Sequence, residues 1–443
     1  MIKQFIATAL TLASSLSLMA EGYQVNTLSA RQGGMAHTGT ALKLGAESQL
    51  FNPAGMGFMD HTLDISASVS GVMATGYATI DGTRHETSNK VSTPLMASAA
   101  FSIYDFLKAG ITIYTPYGSS INWTENWPGA VLNQSVDLAT YTIQPTIAWK
   151  ITPRLSIGAG LTIAWGNVNL NKGLVVPATV DMTLAAAGSP YRFGETTPAS
   201  VNLTGTATVA TGYNIGIMYD ITDRWTAGAS YRSLMKMRVK AGNASVSYAN
   251  DIARTALSSL DVLNEANFKA EMPMPATLSI GTSYRPSNKI TLALDAQLTF
   301  WNAYRTLDIE FLSQQLTPYN QHLIKEYSNA WAFRLGTQYS LTDRFDLRAG
   351  FIVDLSPVNK NRYNPETPGM TKLEPTIGFT FRPTSQIAID MSAVYVAGLG
   401  VDQAKCEYTD LLAQSLGMPS DRTFTADYKV HAFVPSIGIS YSF

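Results

Sequence analysis

Apolar and polar side chains alternate one by one along many segments of this chain. In the last segment one face is apolar and the other is small or polar, and the apolar residues are Phe433, Ile437, Ile439, Tyr441 and Phe443. The segments 155–165 and 290–300 repeat the pattern. A period of two is typical of β-strands with one face against an apolar phase. Segments of about ten residues with this alternation predict strands that cross an outer membrane as a β-barrel.

A second regularity separates the alternating segments. An aromatic residue, a short polar turn and a new alternating segment follow one another, starting at Trp149, Tyr219, Tyr284 and Tyr339, with looser copies at Tyr104 and Phe381. Pro, Asp, Asn, Ser and Thr favour tight turns, and aromatic side chains suit the membrane boundary. Six such turns, with one further strand at each end, predict an all-β, antiparallel transmembrane barrel of about fourteen strands.

The connections between the turned pairs are longer and predict loops on the outer side, because short turns belong to the periplasm in such barrels. The predicted loops are residues 72–91, 119–136, 167–205, 233–272, 303–327, 355–370 and 398–426.

The N-terminal residues do not alternate. Lys3 precedes an apolar stretch, residues 5–18, which is typical of a secretory signal cleaved after Ala20. Residues 21–60 are rich in Gly and Ala, and a barrel of about fourteen strands encloses more space than side chains fill. The predicted domains are therefore a signal peptide (1–20), an N-terminal hatch plugging the lumen (21–60) and a barrel (61–443). The alternative for 21–60 is a disordered periplasmic lead.

Composition narrows the class of protein. Charged residues make up 14% of the chain, hydrophobic residues 46%, and the formal net charge is -1. Soluble proteins average about 25% charged residues, and a balanced charge argues against a nucleic-acid partner. The five histidines show neither metal spacing nor a catalytic Ser–His grouping, so we predict no metal, no cofactor and no enzymatic activity. Cys406 lies in a polar stretch and is predicted to be an exposed loop thiol.

Two predicted outer loops carry apolar residues that are candidates for a ligand groove: Val175, Val176, Leu257, Leu260, Leu263 and Phe268. Large apolar groups on an outer surface usually bind something. The alternative is that they pack on each other and cover the barrel mouth. The segment 250–266 has helical apolar spacing, with Asn250 or Asp251 as its N-cap.

Alternation also places charges on the inward face, at Asp295, Arg334, Arg348 and Asp390. Asp295 and Arg334 fall at similar heights on neighbouring strands, which predicts an ion pair. Two roles stay open for these charges. They form a salt-bridge network between wall and hatch, or an arginine binds a fatty carboxylate through its bidentate fork.

Short motifs occur in order in the first third of the chain: Gly22-Tyr23-Gln24-Val25-Asn26, Gly33-Gly34-Met35-Ala36-His37-Thr38-Gly39, Phe51-Asn52-Pro53-Ala54-Gly55, and Thr115-Pro116-Tyr117-Gly118 followed by Asn122-Trp123. With the repeated turns and the aromatic C-terminus, they resemble the FadL family of outer-membrane transporters for long-chain fatty acids and aromatic hydrocarbons. The resemblance implies a hatch gate at Phe51, Asn52, Pro53 and Ala54. It also implies a kinked strand, with a lateral opening in the wall at Pro116, Tyr117 and Gly118.

The same resemblance implies passive transport, in which outer loops capture an apolar ligand, an internal pocket holds it, and it leaves sideways into the bilayer. Long-chain fatty acids are the first predicted ligand and aromatic hydrocarbons the second. Other expected partners are outer-membrane lipid and lipopolysaccharide, and the barrel assembly machinery during biogenesis, for a monomeric protein. Two alternatives remain, a general diffusion porin and a surface receptor or adhesin that transports nothing.

Overall fold

The computed structural model describes residues 23–443, which form a closed antiparallel barrel of fourteen strands. The predicted signal peptide, residues 1–20, lies outside the described residues. Kinks and short breaks divide several strands, so the sheet contains 22 strand segments. The predicted fold class and strand number are confirmed.

The first seven strands are β1 (Leu63–Ser70 and Met73–Ile80), β2 (Thr83–Glu86 and Leu95–Tyr104), β3 (Leu107–Tyr114 and Gly118–Asn122), β4 (Ser135–Thr152), β5 (Leu155–Gly173), β6 (Ala199–Thr222) and β7 (Trp225–Arg232 and Met235–Tyr248). The other seven are β8 (Ala266–Met274 and Thr277–Ser287), β9 (Ile290–Thr299 and Thr306–Phe311), β10 (Gln321–Ile324 and Ala330–Thr342), β11 (Phe345–Asp354), β12 (Lys372–Phe381), β13 (Ile387–Gly398 and Val401–Thr409) and β14 (Asp421–Ser442).

Pairing between β1 and β14 closes the barrel. Ala67 of β1 stands opposite Ile439 of β14 on one side and opposite Ala97 of β2 on the other. Closure removes the free edges that an open sheet would leave without hydrogen bonds in lipid. Ile437 and Ile439 are exposed on the outer wall, as the alternation predicts.

All six predicted tight turns are present at one end of the barrel, for example between Tyr104 and Leu107 and between Thr152 and Leu155. The predicted long loops at the other end are wrong in extent, because strands fill much of them. Residues 235–244 of β7, for instance, pair with residues 266–274 of β8 inside the predicted loop 233–272. Beyond the part of the barrel that crosses the membrane, neither face of the sheet contacts lipid. The alternation of apolar and polar residues therefore weakens there, although the hydrogen-bonded ladder between strands continues.

Short helices connect the strands. Before β1 lie α1 (Ala30–Gly33), α2 (Ser48–Phe51) and the 3₁₀ turns Gly45–Glu47 and Pro53–Phe58. The outer loops hold α3 (Pro177–Ala186), α4 (Asp251–Ala256), α5 (Leu411–Ser415) and the 3₁₀ turns Ser258–Leu263, Trp301–Ala303, Gln314–Tyr319 and Lys360–Arg362. Asn250 caps α4 by accepting the Ala253 N–H at 2.9 Å, as predicted. Within the described part of the chain, no helix is long and apolar enough to cross a membrane.

Residues 23–62, which we call the interior segment, lie inside the barrel. Hydrogen bonds tie the segment to opposite sides of the wall. Ala30 N–H donates to Ser68 Oγ on β1 at 3.1 Å, and Gly39 N–H donates to Asp295 on β9 at 2.7 Å. Asn52 Nδ2 donates to the Ile217 carbonyl on β6 at 3.0 Å. The interior segment therefore contacts the wall at three separate strands, β1, β6 and β9.

Glycines in the wall let the interior segment come close. A Cβ atom on Gly216 of β6 would lie 2.0 Å from Asn52 Oδ1, and one on Gly228 of β7 would lie 2.2 Å from the Thr40 carbonyl oxygen. Real side chains do not tolerate such distances. Glycine at these two inward positions thus permits direct contact between the segment and the wall.

Candidate functional site

An apolar pocket lies above the interior segment, on the side of the long loops. Its apolar lining includes Val136, Leu170, Leu203, Met237, Val239, Phe268, Met274, Leu307 and Ile309. These residues come from β4, β5, β6, β7, β8 and β9, so the pocket forms only where the outer parts of these strands curve around a common space. Such apolar walls with few polar groups are typical of sites for small hydrophobic molecules.

Aromatic side chains form the floor of this pocket. The Tyr23 ring packs edge-on against Trp301 and Tyr304, with ring centroids 4.9 and 5.7 Å apart, and lies 5.9 Å from the Tyr117 ring. Tyr23 Oη also donates to the carbonyl of Pro273. The aromatic cluster joins the start of the interior segment to three strands. Sequence reasoning included Tyr23 in the stretch that resembles the hatch of the family, but it missed Trp301 and Tyr304 because no local pattern links residues so far apart in the chain.

Strand β3 is interrupted between Tyr114 and Gly118, where the resemblance implies a kink. Its first part pairs with both β2 and β4, whereas Gly118–Asn122 continues the ladder with β4. Towards β2, this outer part makes only scattered bonds, such as Ser88 N–H to the Asn122 carbonyl at 2.7 Å and Asn122 N–H to Asn89 Oδ1 at 2.8 Å. The kink thus weakens the wall between β2 and β3.

The start of the interior segment pairs with the kink from inside. Val25 N–H donates to the Pro116 carbonyl at 2.9 Å, and Gly118 N–H donates to the Tyr23 carbonyl at 3.0 Å. These bonds flank an antiparallel bridge between Gln24 and Tyr117. The backbone of the kink therefore has partners from the interior segment where the regular β2–β3 ladder stops.

The Phe51-Asn52-Pro53-Ala54 motif turns the interior segment against the wall. Asn52 is fully buried, and its Nδ2 donates to the Thr40 carbonyl at 2.7 Å as well as to Ile217. Its Oδ1 accepts the Ala54 N–H at 3.1 Å and caps the 3₁₀ turn that Pro53 begins. The Phe51 carbonyl accepts from Ser230 Oγ of β7 at 2.8 Å. One asparagine side chain thus holds two parts of the segment and the wall together.

A second, more polar cavity lies below the aromatic floor, between the interior segment and the wall. Its lining includes His37, Phe51, Tyr114, Pro116, Tyr117, Arg232, Asp295 and Arg334. Tyr117 lines both this cavity and the apolar pocket. The motif residues Phe51 and Pro116, far apart in sequence, therefore border one space.

The inward charges are where alternation places them, but their partners differ from the prediction. Asp295 and Arg334 stand opposite each other in the β9–β10 ladder. The predicted ion pair is wrong, because Asp295 Oδ2 accepts from Gly39 and Thr40 of the interior segment, and Arg334 donates to Gln297 Oε1 at 2.8 Å. Backbone N–H groups of the interior segment therefore bind the Asp295 carboxylate in place of Arg334.

Arg348 and Asp390 do form an ion pair, 3.2 Å apart. Arg348 also donates to Gln338 Oε1 at 2.9 Å, and Asp346 binds Arg382 at 2.5 Å. The pairs link β10, β11, β12 and β13. Arg348 is thereby engaged inside a wall network, which favours the structural role that the sequence left open.

The apolar loop candidates divide into two groups. Leu257, Leu260, Leu263 and Val175 are buried in the large outer cluster of apolar side chains. Phe268 lines the apolar pocket, and Val176 lines a separate outer groove between the loops. Phe268 is also part of the outer cluster, so five of the six candidates, all except Val176, pack on neighbouring apolar groups.

Cys406 is not an exposed loop thiol as predicted. It lies on the outer segment of β13 and is buried at the edge of the outer groove, where burial raises the pKa of its thiol to about 11. Polar neighbours in the sequence belong to the opposite face of the same strand, which the local composition does not reveal.

A closed barrel, an interior segment and an apolar pocket together define an outer-membrane transport protein. A model of the family "Outer membrane protein transport protein (OMPP1/FadL/TodX)" matches residues 10–443, so the chain belongs to that family. The family consists of transport proteins of the Gram-negative outer membrane and not of enzymes, and the apolar pocket marks the cargo as hydrophobic.

Known proteins resemble the chain over nearly its whole length. Outer membrane protein P1 of Haemophilus influenzae is 21% identical over 474 residues, covering 100% of this chain and 99% of the relative. A long-chain fatty acid transport protein of Escherichia coli O6:H1 is 24% identical over 413 residues, covering 89% and 91%.

Two solved structures share the fold. A FadL homologue of Pseudomonas aeruginosa has a TM-score of 0.78 at 19% identity, over 96% of this chain and 100% of the other. The toluene transporter TodX of Pseudomonas putida has a TM-score of 0.68 at 17% identity, over 96% and 99%.

Proposed function

We propose that this protein moves hydrophobic molecules passively from the outer surface into the bilayer. The outer groove and loops receive the molecule, the apolar pocket holds it, and the interior segment acts as a hatch. Exit is sideways, through the weakened wall at the β3 kink. The observation that carries this proposal is that residues 23–25 have two roles. Tyr23 borders the apolar pocket, and Gln24 and Val25 border the cavity below it. The same three residues pair with the backbone of the β3 kink.

Physical chemistry favours such a route for apolar cargo. A watery channel offers a hydrophobic molecule no gain in free energy, whereas an apolar pocket and the bilayer core both do. If Tyr23 and Val25 release the Pro116 and Gly118 backbone, the pocket floor and the wall open together. The Asn52 turn, held by Thr40 and Ile217, then sets how readily the segment moves.

Two classes of cargo come from the relatives. A fatty acid transport protein and a toluene transporter both resemble this chain. The ranking that puts long-chain fatty acids first and aromatic hydrocarbons second stays a prediction. We also propose a monomer that contacts lipopolysaccharide and outer-membrane lipid, and that is inserted by the barrel assembly machinery.

The test measures uptake in cells of a host that lacks its own transporter for hydrophobic compounds. Cells expressing the chain should take up a radiolabelled fatty acid or toluene faster than cells with an empty vector. A variant with Pro116→Ala and Gly118→Val, which straightens and crowds the kink, should bind the ligand at the surface but lose most uptake.

Three outcomes would contradict the proposal. Uptake that survives disruption of both Asn52-Pro53 and the Pro116–Gly118 kink would rule out a lateral gate. A purified barrel that conducts ions freely in a planar bilayer and retains no apolar molecule would instead identify a general porin. Surface binding without uptake by the wild type would identify a receptor.

A further inference from the structure

We propose that Glu366 selects against ligands that carry an ionised carboxylate, so that the apolar pocket takes uncharged hydrophobic molecules. This inference rests on the proposed function and names the class of cargo at the same pocket, where it favours uncharged molecules over the fatty acids that the resemblance ranks first. It concerns a residue in the loop between β11 and β12 that no sequence motif marks.

The ionisable side chains around the pocket all have the same sign. Among residues 23–443, the pocket lining contains two carboxylates, Glu271 and Glu366, and no lysine, arginine or histidine. A fatty carboxylate entering this space would therefore find no lining cation. The other polar side chains that line the pocket are neutral, among them Asn167, Thr140 and Thr367.

Glu271 is turned towards partners at the protein surface. Its two carboxylate oxygens bind Lys236 at 2.6 Å and Arg238 at 2.5 Å, and the three side chains are 40 to 54% exposed. The hydrogen bond from Lys236 is the main cause that lowers the pKa of Glu271. Because solvent screens this group, Glu271 has little influence on a ligand inside the pocket.

Glu366 is different because it is buried together with its partner. Its side chain is 7% exposed, that of Lys325 is 1% exposed, and the two form an ion pair. The Lys325 ammonium also lies 5.9 Å from the centre of the Tyr304 ring, which lines the pocket. Glu366 is among the residues that line the pocket, and Lys325 is not.

The pairing of Glu366 with Lys325 decides which ligand the pocket accepts. A buried ammonium is the natural partner for a ligand carboxylate, but here a carboxylate of the protein already occupies it. An ionised fatty acid would have to displace Glu366 or lie beside it without a cation, and both cost free energy in an apolar space. An alcohol or hydrocarbon of equal length meets neither cost.

The experiment compares 1-dodecanol with dodecanoate at pH 7.5 on the purified full-length protein. These ligands share their chain length and differ in charge. Each competes with the uncharged fluorescent probe N-phenyl-1-naphthylamine, with protein-free detergent as background. We expect the wild type to bind dodecanol at least about tenfold more tightly than dodecanoate, since like charges repel in a desolvated site.

Variants separate charge from shape. Glu366→Gln leaves the Lys325 ammonium without its carboxylate and should reduce the preference about tenfold, or reverse it. The double variant Lys325→Met with Glu366→Leu removes both charges and should keep the preference for dodecanol, even if it alters stability. Glu407→Gln, at an exposed glutamate that binds Arg362, is the matched control and should change nothing.

Each outcome has a separate meaning. Equal or tighter binding of dodecanoate by the wild type would overturn the role of Glu366 while leaving the proposed function intact. An unchanged preference in Glu366→Gln would do the same. If neither the probe nor either ligand binds the wild type or any variant above the detergent background, the pocket binds no hydrophobic molecule, and the proposed function fails with the inference.

Discussion

Asp295 and Thr40 are joined twice, because the Thr40 backbone N–H and its hydroxyl both donate to Asp295 Oδ2, each at 2.9 Å. Gly39 N–H donates to the same oxygen at 2.7 Å. A wall carboxylate on β9 thus binds the backbone of the interior segment close to the Asn52 turn, which holds the Thr40 carbonyl. The wall and the turn hold opposite sides of one peptide stretch.

Replacing Asp295 by asparagine should loosen this attachment. The variant keeps the shape but loses the negative charge, and hydrogen bonds to a charged group contribute about 1.5–3 kcal/mol. We expect more frequent opening of the lumen, seen as a higher ion conductance in planar bilayers. Asp343→Asn, in an exposed periplasmic turn, is the control. A variant as tight as the wild type would show that Asp295 does not restrain the segment.

Replacing Asn52 by alanine should impair the proposed hatch more directly. The change leaves the Thr40 and Ile217 carbonyls without their side-chain donor and removes the cap of the 3₁₀ turn, at a cost of roughly 1–3 kcal/mol for each unsatisfied buried group. We expect the interior segment to become sensitive to protease in the folded barrel. Asn361→Ala, on the exposed outer surface, should resemble the wild type. Equal protection of both variants would contradict the role of Asn52.

A disulfide between positions 24 and 117 should lock the interior segment to the kink. Gln24 and Tyr117 form the non-hydrogen-bonded type of antiparallel pair, in which Cα atoms lie about 4.5 Å apart, close enough for a disulfide. In a Cys406→Ala background, oxidised Gln24→Cys/Tyr117→Cys should lose uptake, and reduction should restore it. Each single cysteine variant serves as control. Unimpaired uptake by the cross-linked protein would exclude release of this pair as a step.

Cys406 should react slowly with iodoacetamide in the folded protein. The thiolate is the reactive form, and a pKa of about 11 leaves far less of it at pH 8 than an ordinary thiol has. We expect alkylation on the order of 100-fold slower than in the unfolded chain, with a rate that rises with pH up to about 11. Ser415→Cys in a Cys406→Ala background supplies an exposed thiol for comparison. Fast labelling of native Cys406 at pH 8 would disagree with its burial.

Leu263 tests whether the apolar loop residues serve packing. It is 1% exposed in the outer cluster, and Leu→Ala at such sites costs about 2–5 kcal/mol. We expect Leu263→Ala to expose the segment 250–265 to protease without changing the affinity of the apolar pocket. Met182→Ala, at a half-exposed position of α3, should have little effect. A selective loss of ligand affinity would instead make Leu263 a binding residue.

The sequence by itself determined the barrel, because a strand between lipid and lumen must alternate and a tight turn needs its own residue types. The six turns follow from such local rules, whereas the kink at Pro116–Gly118 was expected only from the family resemblance. The same rules placed Asp295, Arg334, Arg348 and Asp390 on the inward face. They did not identify the partners of these charges. Several polar groups lie at the same height in the barrel, and the tertiary structure decides which of them comes within hydrogen-bonding distance.

Only the tertiary structure decided what fills and lines the lumen. Tyr23, Trp301 and Tyr304 meet, and Lys325 pairs with Glu366, although these residues belong to segments far apart in the chain. Above the apolar belt the outward face no longer meets lipid, so the period of two that reveals the membrane strands carries less information there. Curvature and closure of the barrel bring the outer segments together, and these are properties of the whole sheet rather than of any local pattern.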